Sequence, residues 1–455
     1  MNILKQRICL TAACLMALTG LAHAGGFSIY EAGAKATGMG CAVTASVDDG
    51  SAMFYNIAAI SFMPGSVVDL NVMPVAPAFK YRQAAPPTES AYGETVSQSF
   101  IIPGFGITHN FKNNNFGIGL GVSAPFGLGV EWQDPTTFVG RFTNYDVDLA
   151  TVYITPALSW QPTAKLSVAL GADFAHQHIQ LNRYTPQEFG AGTDPYINAV
   201  DTKLDGTAEL NVTPCIGAMY KPTEKLSIGV MYHHEKTMKY RDQEATLTNV
   251  APDALVDTVD DVLDYYAGEE GLRTFSADTD LGLPHMLSLG VAYRFTPRFL
   301  MEFDAVHFGW SNFDQLDLKF SPDPTGSLSS VIHERYEDRW QYRLGADFNA
   351  TPKLKVLAGF AYDKTPQPVE SMSPLLPDAS RKDYSIGLQY LTGKWRFTGS
   401  YMAVINDARG NVVDGEAAMF EEEANDPDAA ALKTFEAGNY EAVANIWAVG
   451  VGYHF

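Results

Sequence analysis

The most regular feature of the chain is an alternation of apolar residues with polar or small ones. In the segment beginning at Trp340, the even-numbered positions are Trp, Tyr, Leu, Ala and Phe, whereas the odd-numbered positions include Arg343 and Asp347. Successive side chains of a β-strand point to opposite faces, so this period of two predicts a strand with one apolar face and one polar face. The same pattern recurs from Leu166, Tyr384 and Trp447, which predicts an all-β fold.

The charged residues on the alternating segments indicate where these strands lie. Arg343, Asp347 and Asp173 share a face with glycine and other small residues, and the opposite face is apolar. A soluble β-sandwich is the alternative, but it would bury its apolar face and expose its polar one. A polar face that can be enclosed and an apolar face that can meet lipid are typical of a transmembrane β-barrel with a wet lumen.

Turn signals predict the number of strands. Short polar turns alternate with long connections, and six of the former with seven of the latter give a 14-stranded antiparallel transmembrane β-barrel with both ends on the short-turn side. The predicted short turns are 112–115, 161–164, 221–224, 296–298, 350–353 and 392–394. The long connections include 125–147, 184–205, 244–279, 321–330, 365–381 and 406–440. Bacterial barrels place short turns in the periplasm and long loops outside.

The first residues predict export. Lys5 and Arg7 precede an apolar run, and the small-residue pattern Ala22-His23-Ala24 follows it. This is typical of a secretory signal peptide. We therefore predict a signal at 1–24 with cleavage near Ala24, and a mature protein in the bacterial outer membrane.

The segment 25–65 does not alternate and is rich in glycine, alanine and serine. So compact a segment ahead of a wide barrel predicts an N-terminal hatch plugging the lumen, and a loose periplasmic tail is the alternative. The barrel is then predicted over 66–455. Within 244–279, Leu255, Val259 and Leu263 recur at helical spacing after Pro252, which predicts an amphipathic helix in this long loop.

Composition excludes several classes of function. The formal charge of −21 becomes −23 once Lys5 and Arg7 leave with the signal, which argues against binding nucleic acid. Catalytic motifs, a phosphate loop and a Cys-x-x-Cys pair are absent from the sequence, so we expect neither an enzyme nor a cofactor. Cys41 and Cys215 remain after cleavage and allow one disulfide bond, without requiring it.

Histidines give no metal site. His176 and His178 lie on one side of a predicted strand, but two ligands are too few for zinc. His233 and His234 are adjacent and therefore on opposite faces. The aspartates of 244–279 lack the spacing of an EF-hand calcium loop. We predict no metal.

Four stretches resemble the FadL family of outer-membrane long-chain fatty acid and hydrocarbon transporters. Gly25-Gly26-Phe27 looks like the start of the family's hatch, and SAPFGLGVEW from Ser123 is similar to its third strand. FGWSNF from Phe308 resembles its Trp-Ser strand. AYDKTPQPVESMSPLLPDASR from Ala361 resembles its Asp-x-(Ser/Thr)-Pro-x-Pro and Pro-Asp-x-x-Arg stretch. Together they run through nearly the whole mature chain.

The resemblance implies a lateral route for the ligand. In the family, ligand is caught in an outer groove, moves to an interior pocket and leaves through a wall gap made by a kink in the third strand. The matching lateral gate here is Pro125, Phe126, Gly127 and Leu128. Backbone chemistry agrees, because proline cannot donate to a strand ladder and glycine has no side chain to hold register. An ordinary turn into the next loop is the alternative.

The resemblance also implies ligand-binding residues. Phe27 is expected at the pocket, and Arg183 matches one member of the basic pair that faces a fatty-acid head group. The lysine of that pair falls near Ile332, with His333 and Arg335 beside it. The family's Asn-Pro-Ala in the hatch is Asn56, Ile57 and Ala58 here.

The predicted function is passive uptake of long-chain fatty acids or similar hydrophobic small molecules by a monomer. One arginine instead of a basic pair keeps neutral aromatic or alkane hydrocarbons as the alternative ligands, although a single Arg can hold a carboxylate bidentately. An adhesin or phage receptor is the alternative of another class. Besides the ligand, the expected partners are outer-membrane lipid and lipopolysaccharide, and the assembly machinery through the C-terminal Phe455.

Overall fold

The computed structural model describes residues 25–84, 92–111, 115–188, 196–324, 326 and 328–455. Its strands form a closed antiparallel ring of fourteen, which we label β1 to β14. They are β1 Ser66–Gln83, β2 Phe100–Phe111, β3 Phe116–Glu131, β4 Asp146–Thr163, β5 Leu166–Glu188, β6 Tyr196–Thr207 with Asn211–Tyr220, β7 Leu226–His233 with Lys236–Asn249, β8 Thr274–Leu283 with Met286–Thr296, β9 Phe299–Phe308, β10 Arg339–Asn349, β11 Leu354–Asp363, β12 Arg381–Thr392, β13 Trp395–Asn406 and β14 Gly438–His454.

Each strand pairs with its neighbours along the chain, and β14 returns to β1. The closing pair runs from Val67 opposite His454 to Gln83 opposite Gly438. Because β14 pairs with β1, neither the first nor the last strand has an unpaired edge. A β-sheet in the hydrocarbon core of a membrane requires such closure. The predicted barrel and its strand number are therefore confirmed.

Side-chain burial follows the predicted alternation. On β12, Tyr384, Ile386 and Leu388 are exposed outside the ring, whereas Asp383 and Gln389 are buried inside it. The outer surface is thus apolar and the lumen polar, which rules out the soluble sandwich. Among the described residues, no helix is both long and apolar enough to cross a membrane.

Five predicted short turns lie between consecutive strands, and most of the turn at 112–115 falls outside the described residues, as does the signal at 1–24. Four of the six long connections are shorter than predicted, whereas the one predicted at 321–330 is longer and runs from 309 to 338. β3 continues through Pro125 to Glu131, and β5 extends beyond Tyr184 to Glu188. The prediction treated proline and glycine as strand ends. In the structure, the neighbouring strands β4 and β6 pair with these segments and keep them extended.

Helices and short strands occupy the connections and the N-terminal segment. The helices are α1 Ala34–Gly38, α2 Ala52–Tyr55, α3 Val256–Ala267, α4 Glu421–Ala424 and α5 Pro427–Glu436, with 3-10 helices at Ile57–Phe62, Val139–Phe142 and Trp310–Asn312. The short strands are Tyr92–Glu94, Gln315–Ser321, Ser330–His333, Arg409–Gly410, Val412–Val413 and Glu416–Ala417.

The predicted loop helix is confirmed as α3. Its buried residues Val259, Leu263 and Ala267 pack against Leu204 of β6 and Ala245 of β7, among others. By alternation these strand residues face the lumen. One apolar side of α3 therefore covers the inner wall at the long-loop end of the barrel.

The segment 25–65 contacts opposite sides of the ring. Its helix α1 packs against β12 and β13, whereas the 3-10 helix Ile57–Phe62 contacts β4, β5 and β6. Cys41 lies in this segment and Cys215 on β6; both are buried free thiols. The disulfide that the sequence allowed is thus absent from the structure.

Candidate functional site

The third strand, β3, is bulged next to Pro125. The pairing of β3 with β4 shifts register between Ser123 and Phe126. On its other side, β3 pairs with β2 only from Phe105–Val122 to Phe111–Phe116. Beyond Val122 the edge of β3 that should face β2 has no partner in that strand. The wall is therefore interrupted between β2 and β3.

The N-terminal segment pairs with this interrupted edge. The backbone N–H of Ile29 donates to the carbonyl oxygen of Pro125 at 2.8 Å, and the N–H of Gly127 donates to that of Phe27 at 3.0 Å. These two bonds flank an antiparallel bridge between Ser28 and Phe126. Residues 27–29, near the start of the N-terminal segment, thus pair with the part of β3 that β2 leaves unpaired.

Aromatic rings surround Phe27, which is 5% exposed. Its ring lies edge-on to those of Phe126, Trp310 and Phe313, with centroids 6.0, 4.9 and 5.5 Å away. Tyr336 packs against both Trp310 and Phe313. Among the described residues, the Nε1 of Trp310 and the hydroxyl of Tyr336 are buried and have no hydrogen-bond partner. We call Phe27, Phe126, Trp310, Phe313 and Tyr336 the aromatic cluster.

The start of the segment is held by a loop after β11. The N–H of Gly26 donates to Oδ2 of Asp378 at 2.8 Å, and the hydroxyl of Thr365 donates to the same oxygen. Burial raises the pKa of Asp378. Gly26 has φ of +65°, and a Cβ there would meet the Trp310 ring at 2.5 Å. Glycine is therefore required at this position.

Carboxylates of the lumen wall hold the middle of the segment. Oδ2 of Asp304 on β9 accepts the N–H groups of Val43 and Thr44, each at 3.0 Å. On β1, Oδ2 of Asp69 accepts the N–H of Gly50 at 2.6 Å. Backbone donors that lack partners within short helices and turns are satisfied in this way, because an unpaired buried N–H is costly.

Asn56, Ile57 and Ala58 are completely buried. The side-chain amide of Asn56 donates to the carbonyls of Thr44 and Ala218, and its Oδ1 accepts the N–H of Ala58. Asn56 therefore caps the 3-10 helix and ties the segment to β6. The Asn supplies these bonds without the proline that the family carries next to it.

Arg183 lies on β5, opposite Thr202 of β6. Alternation from the buried Asp173 and Gln177 places it on the lumen-facing side, above Ile179 and near the long-loop end. Within the described part of the chain, its guanidinium makes no hydrogen bond or ion pair. A cation of this kind can accept a carboxylate.

His333 and Arg335 lie in the loop between β9 and β10. Arg335 is exposed, pairs with Glu422 at 2.8 Å and covers the ring of Phe420 at 4.6 Å. The Arg335 guanidinium lowers the pKa of Glu422. The ring of His333 lies 6.3 Å from that of Phe420. Both residues therefore join two loops, and the structure does not bring Arg335 to the aromatic cluster.

Sequence reasoning missed a polar cluster in the lumen. Ligand atoms of Asp173, Cys215 and His233 lie within 4.8 Å of one another, all buried. Nδ1 of His233 is 2.8 Å from the Asp173 carboxylate, Nε2 is 3.0 Å from the carbonyl of Phe54, and Nζ of Lys236 is 3.4 Å from the same carboxylate. Because an ammonium group already pairs with Asp173, we interpret the cluster as a hydrogen-bonded anchor for α2. His176, in contrast, is exposed on the outer face of β5.

The chain matches the family model described as "Outer membrane protein transport protein (OMPP1/FadL/TodX)" over residues 15–455. It is 25% identical to the 47 kDa outer membrane protein of Pasteurella multocida over 473 aligned residues, covering 98% of each chain. It is 21% identical to the long-chain fatty acid transport protein of Salmonella typhi, covering 82% of this chain and 85% of that one.

Two solved structures share the fold. One is a Pseudomonas aeruginosa FadL homologue, with a TM-score of 0.77, 19% identity and coverage of 94% of this chain and 99% of that chain. The other is the Pseudomonas putida toluene transporter TodX, with a TM-score of 0.67, 16% identity and coverage of 93% and 98%. With the barrel and the match over nearly its whole length, this chain belongs to the OMPP1/FadL/TodX family of outer-membrane transport proteins.

Proposed function

We propose that this protein is a passive channel for hydrophobic small molecules, in which the segment 25–65 plugs the lumen and ligand leaves sideways between β2 and β3. The pairing of Phe27 and Ile29 with the free edge of β3 carries the proposal. A wall closed by a separate segment rather than by the neighbouring strand opens when that segment moves. The aromatic cluster lies directly behind the gap.

The ligand class follows from the surroundings of Phe27. Affinity there comes from burying apolar surface, at about 25 cal/mol per Å². The relatives named above are a long-chain fatty acid transport protein and a toluene transporter. Long-chain fatty acids and toluene are both hydrophobic, and an aromatic cluster suits such ligands better than a polar lining would.

Between these ligands, Arg183 favours a long-chain fatty acid. Its guanidinium lies on the lumen side and has no partner among the residues that the structure describes, and a carboxylate would satisfy it bidentately. The aromatic cluster favours a neutral aromatic or alkane hydrocarbon, because its ring faces need no charged group. We therefore propose fatty acids first and hydrocarbons as the second candidate.

A reversible crosslink tests the lateral route. Ser28 and Phe126 form an antiparallel bridge flanked by two hydrogen bonds, and such a pair brings Cα atoms to about 4.5 Å, within disulfide range. With Ser28→Cys and Phe126→Cys together, oxidation should stop uptake of labelled oleate, and a reductant should restore it. The single variant Ser28→Cys should not respond. Unchanged uptake after complete crosslinking would overturn the lateral route.

A second experiment separates the ligands. Cells with and without the protein are offered labelled oleate and labelled hexadecane, and uptake rates are compared. Arg183→Ala should slow oleate and spare hexadecane, whereas the control Arg335→Ala, an exposed arginine paired with Glu422, should change neither. Equal oleate rates in Arg183→Ala and wild type contradict the fatty-acid assignment. If neither compound enters faster with the protein, transport itself is contradicted.

A further inference from the structure

A cleft of about 450 Å³ opens at the long-loop end of the barrel, and its lining residue Thr365 bonds to the same Asp378 carboxylate that holds Gly26. It lies between the start of β10, the loop 364–380 after β11 and the residues following β13. Its lining residues are Arg339, Lys364, Thr365, Gln367, Pro368, Val369, Ala379, Ser380, Asp407, Ala408 and Arg409. A volume of this size is typical of small-ligand sites.

Three cations and one carboxylate line the cleft, and the carboxylate is already neutralised. Oδ1 of Asp407 pairs with Nζ of Lys382 at 2.7 Å. Lys364 makes no hydrogen bond or ion pair with any residue that the structure describes. Burial and the neighbouring charge of Arg339 both lower the pKa of Lys364. Among the described residues, the ammonium group of Lys364 thus brings to the cleft a positive charge that no carboxylate pairs with.

Neutral oxygens hold the guanidinium of Arg409 in place. Its Nη1 donates to the carbonyl of Asp378 at 3.1 Å and to the hydroxyl of Thr365 at 3.3 Å, and its Nη2 donates to the carbonyl of Gln367 at 2.8 Å. Burial lowers the pKa of Arg409. These neutral oxygens orient the guanidinium of Arg409 without neutralising its charge. A cation held in a fixed orientation is prepared to bind an anion.

Arg339 completes the group but is partly committed. Its Nε donates to the carbonyl of Thr365 at 3.4 Å, and its Nη2 pairs with Glu337 outside the cleft lining. Apart from that pair, Lys364 and Arg409 remain as two cations that form no salt bridge with any carboxylate in the described part of the chain. Two positive charges match a group that carries close to two negative ones.

We propose that this cleft binds a phosphate monoester. A phosphate monoester carries about −1.5 to −2 charges at pH 7 and offers three acceptor oxygens, which suits an ammonium and a guanidinium together. A carboxylate would compensate only one of them. The apolar lining residues Pro368, Val369 and Ala379 accommodate an attached organic body, so the phosphate is either a lipid head group or a free anion.

Binding to the purified full-length protein in a non-ionic detergent at pH 7 tests the proposal. The probes are a short-chain phosphatidic acid, the matching phosphatidylcholine and inorganic phosphate, measured by isothermal titration calorimetry. Phosphatidic acid should bind at least tenfold more tightly than phosphatidylcholine. Competition by inorganic phosphate indicates that the anion alone suffices, whereas binding of phosphatidic acid without such competition indicates a lipid ligand.

Lys364→Gln should weaken phosphatidic acid binding about tenfold, the loss expected for one charge-assisted hydrogen bond. The matched control is Lys353→Gln, an exposed lysine in the short turn at the opposite end of the barrel. Circular dichroism and thermal unfolding verify that both variants keep the wild-type fold, and Arg409→Gln repeats the test on the second cation. Equal affinities for the two lipids, or equal affinities of Lys364→Gln and Lys353→Gln, would overturn the proposal.

Discussion

Ile29 donates its backbone N–H to the carbonyl oxygen of Pro125 at 2.8 Å. Proline has no N–H to give to a ladder, but its carbonyl still accepts one. The bulge that removes β2 from this edge thus creates a position for another extended segment, and the N-terminal residues fill it. The bulge in β3 and the position of the N-terminal residues therefore depend on each other.

Replacing Phe27 should loosen this arrangement. Phe27→Ala removes a buried ring that contacts three others, and such truncations cost about 3–5 kcal/mol. We expect faster hydrogen exchange at the amides of Ile29 and Gly127, measured by mass spectrometry. Tyr265→Ala, at a ring 70% exposed on α3, serves as the control. Unchanged exchange at both amides would show that the ring does not hold the segment.

A side chain at Gly129 should widen the gap between β2 and β3. A Cβ at this position would lie 2.0 Å from Cζ of Phe100, so Gly129→Ala must displace the Phe100 ring from its place across the interrupted wall. We expect faster oleate uptake. Gly399→Ala on β13, where nothing lies within 4 Å of the added carbon, should leave uptake unchanged. Equal or slower uptake in Gly129→Ala argues against an exit at this position.

The carboxylate of Asp304 should be needed to hold the segment 25–65 in place. Asp304→Ala leaves the N–H groups of Val43 and Thr44 without an acceptor, and bonds to a charged group contribute about 1.5–3 kcal/mol. We expect exchange at these two amides to accelerate and ion conductance in planar bilayers to rise. Asp253→Ala, an exposed loop residue, is the control. Wild-type conductance with accelerated exchange would mean that the segment loosens without opening the lumen.

The folded structure of the loops at the long-loop end should be less stable at alkaline pH. Burial raises the pKa of Glu334 from 4.5 to about 8, although Lys433 lowers it in part. Because the folded state holds this proton more tightly than the unfolded state, the stabilising contribution is complete below about pH 4.5. It is lost as the pH rises through about 8.

Limited proteolysis of the segment 421–436 at pH 6 and pH 9 measures this effect. Cleavage should be faster at pH 9 in the wild type, and Glu334→Gln, which cannot ionise, should reduce the difference. Glu421→Gln, an exposed neighbour, should keep the wild-type response. A pH effect that survives in Glu334→Gln assigns it to another group.

The sequence predicted the barrel well because alternation is a local signal. Asp383 and Tyr384 are adjacent, yet one is buried in the lumen and the other meets the outside, and no long-range information is needed to expect this. The loop helix was predicted for the same reason, since Val259 and Leu263 lie one turn apart. Strand ends were less predictable, because Pro125 continues a strand only where distant segments supply its partners.

The candidate site was predictable only in part. The resemblance singled out Phe27 and Phe126, and the structure brings their rings together. Trp310 and Asp378 appeared only inside longer motifs, and nothing local indicated that both would meet Gly26. His233 was set aside as one of two adjacent histidines. Its contacts with Asp173 and Phe54 depend on the fold of the entire ring.

The edge of β3 also sets a free-energy cost on opening the proposed exit. When Phe27 and Ile29 withdraw, the carbonyl of Pro125 and the N–H of Gly127 lose their partners, and a hydrocarbon chain passing by offers them none. Each unsatisfied group costs about 1–3 kcal/mol, so the open form is disfavoured by a factor of roughly thirty or more. If ligand leaves by the proposed route, these unpaired backbone groups favour the return of the wall to its closed form after each molecule has passed.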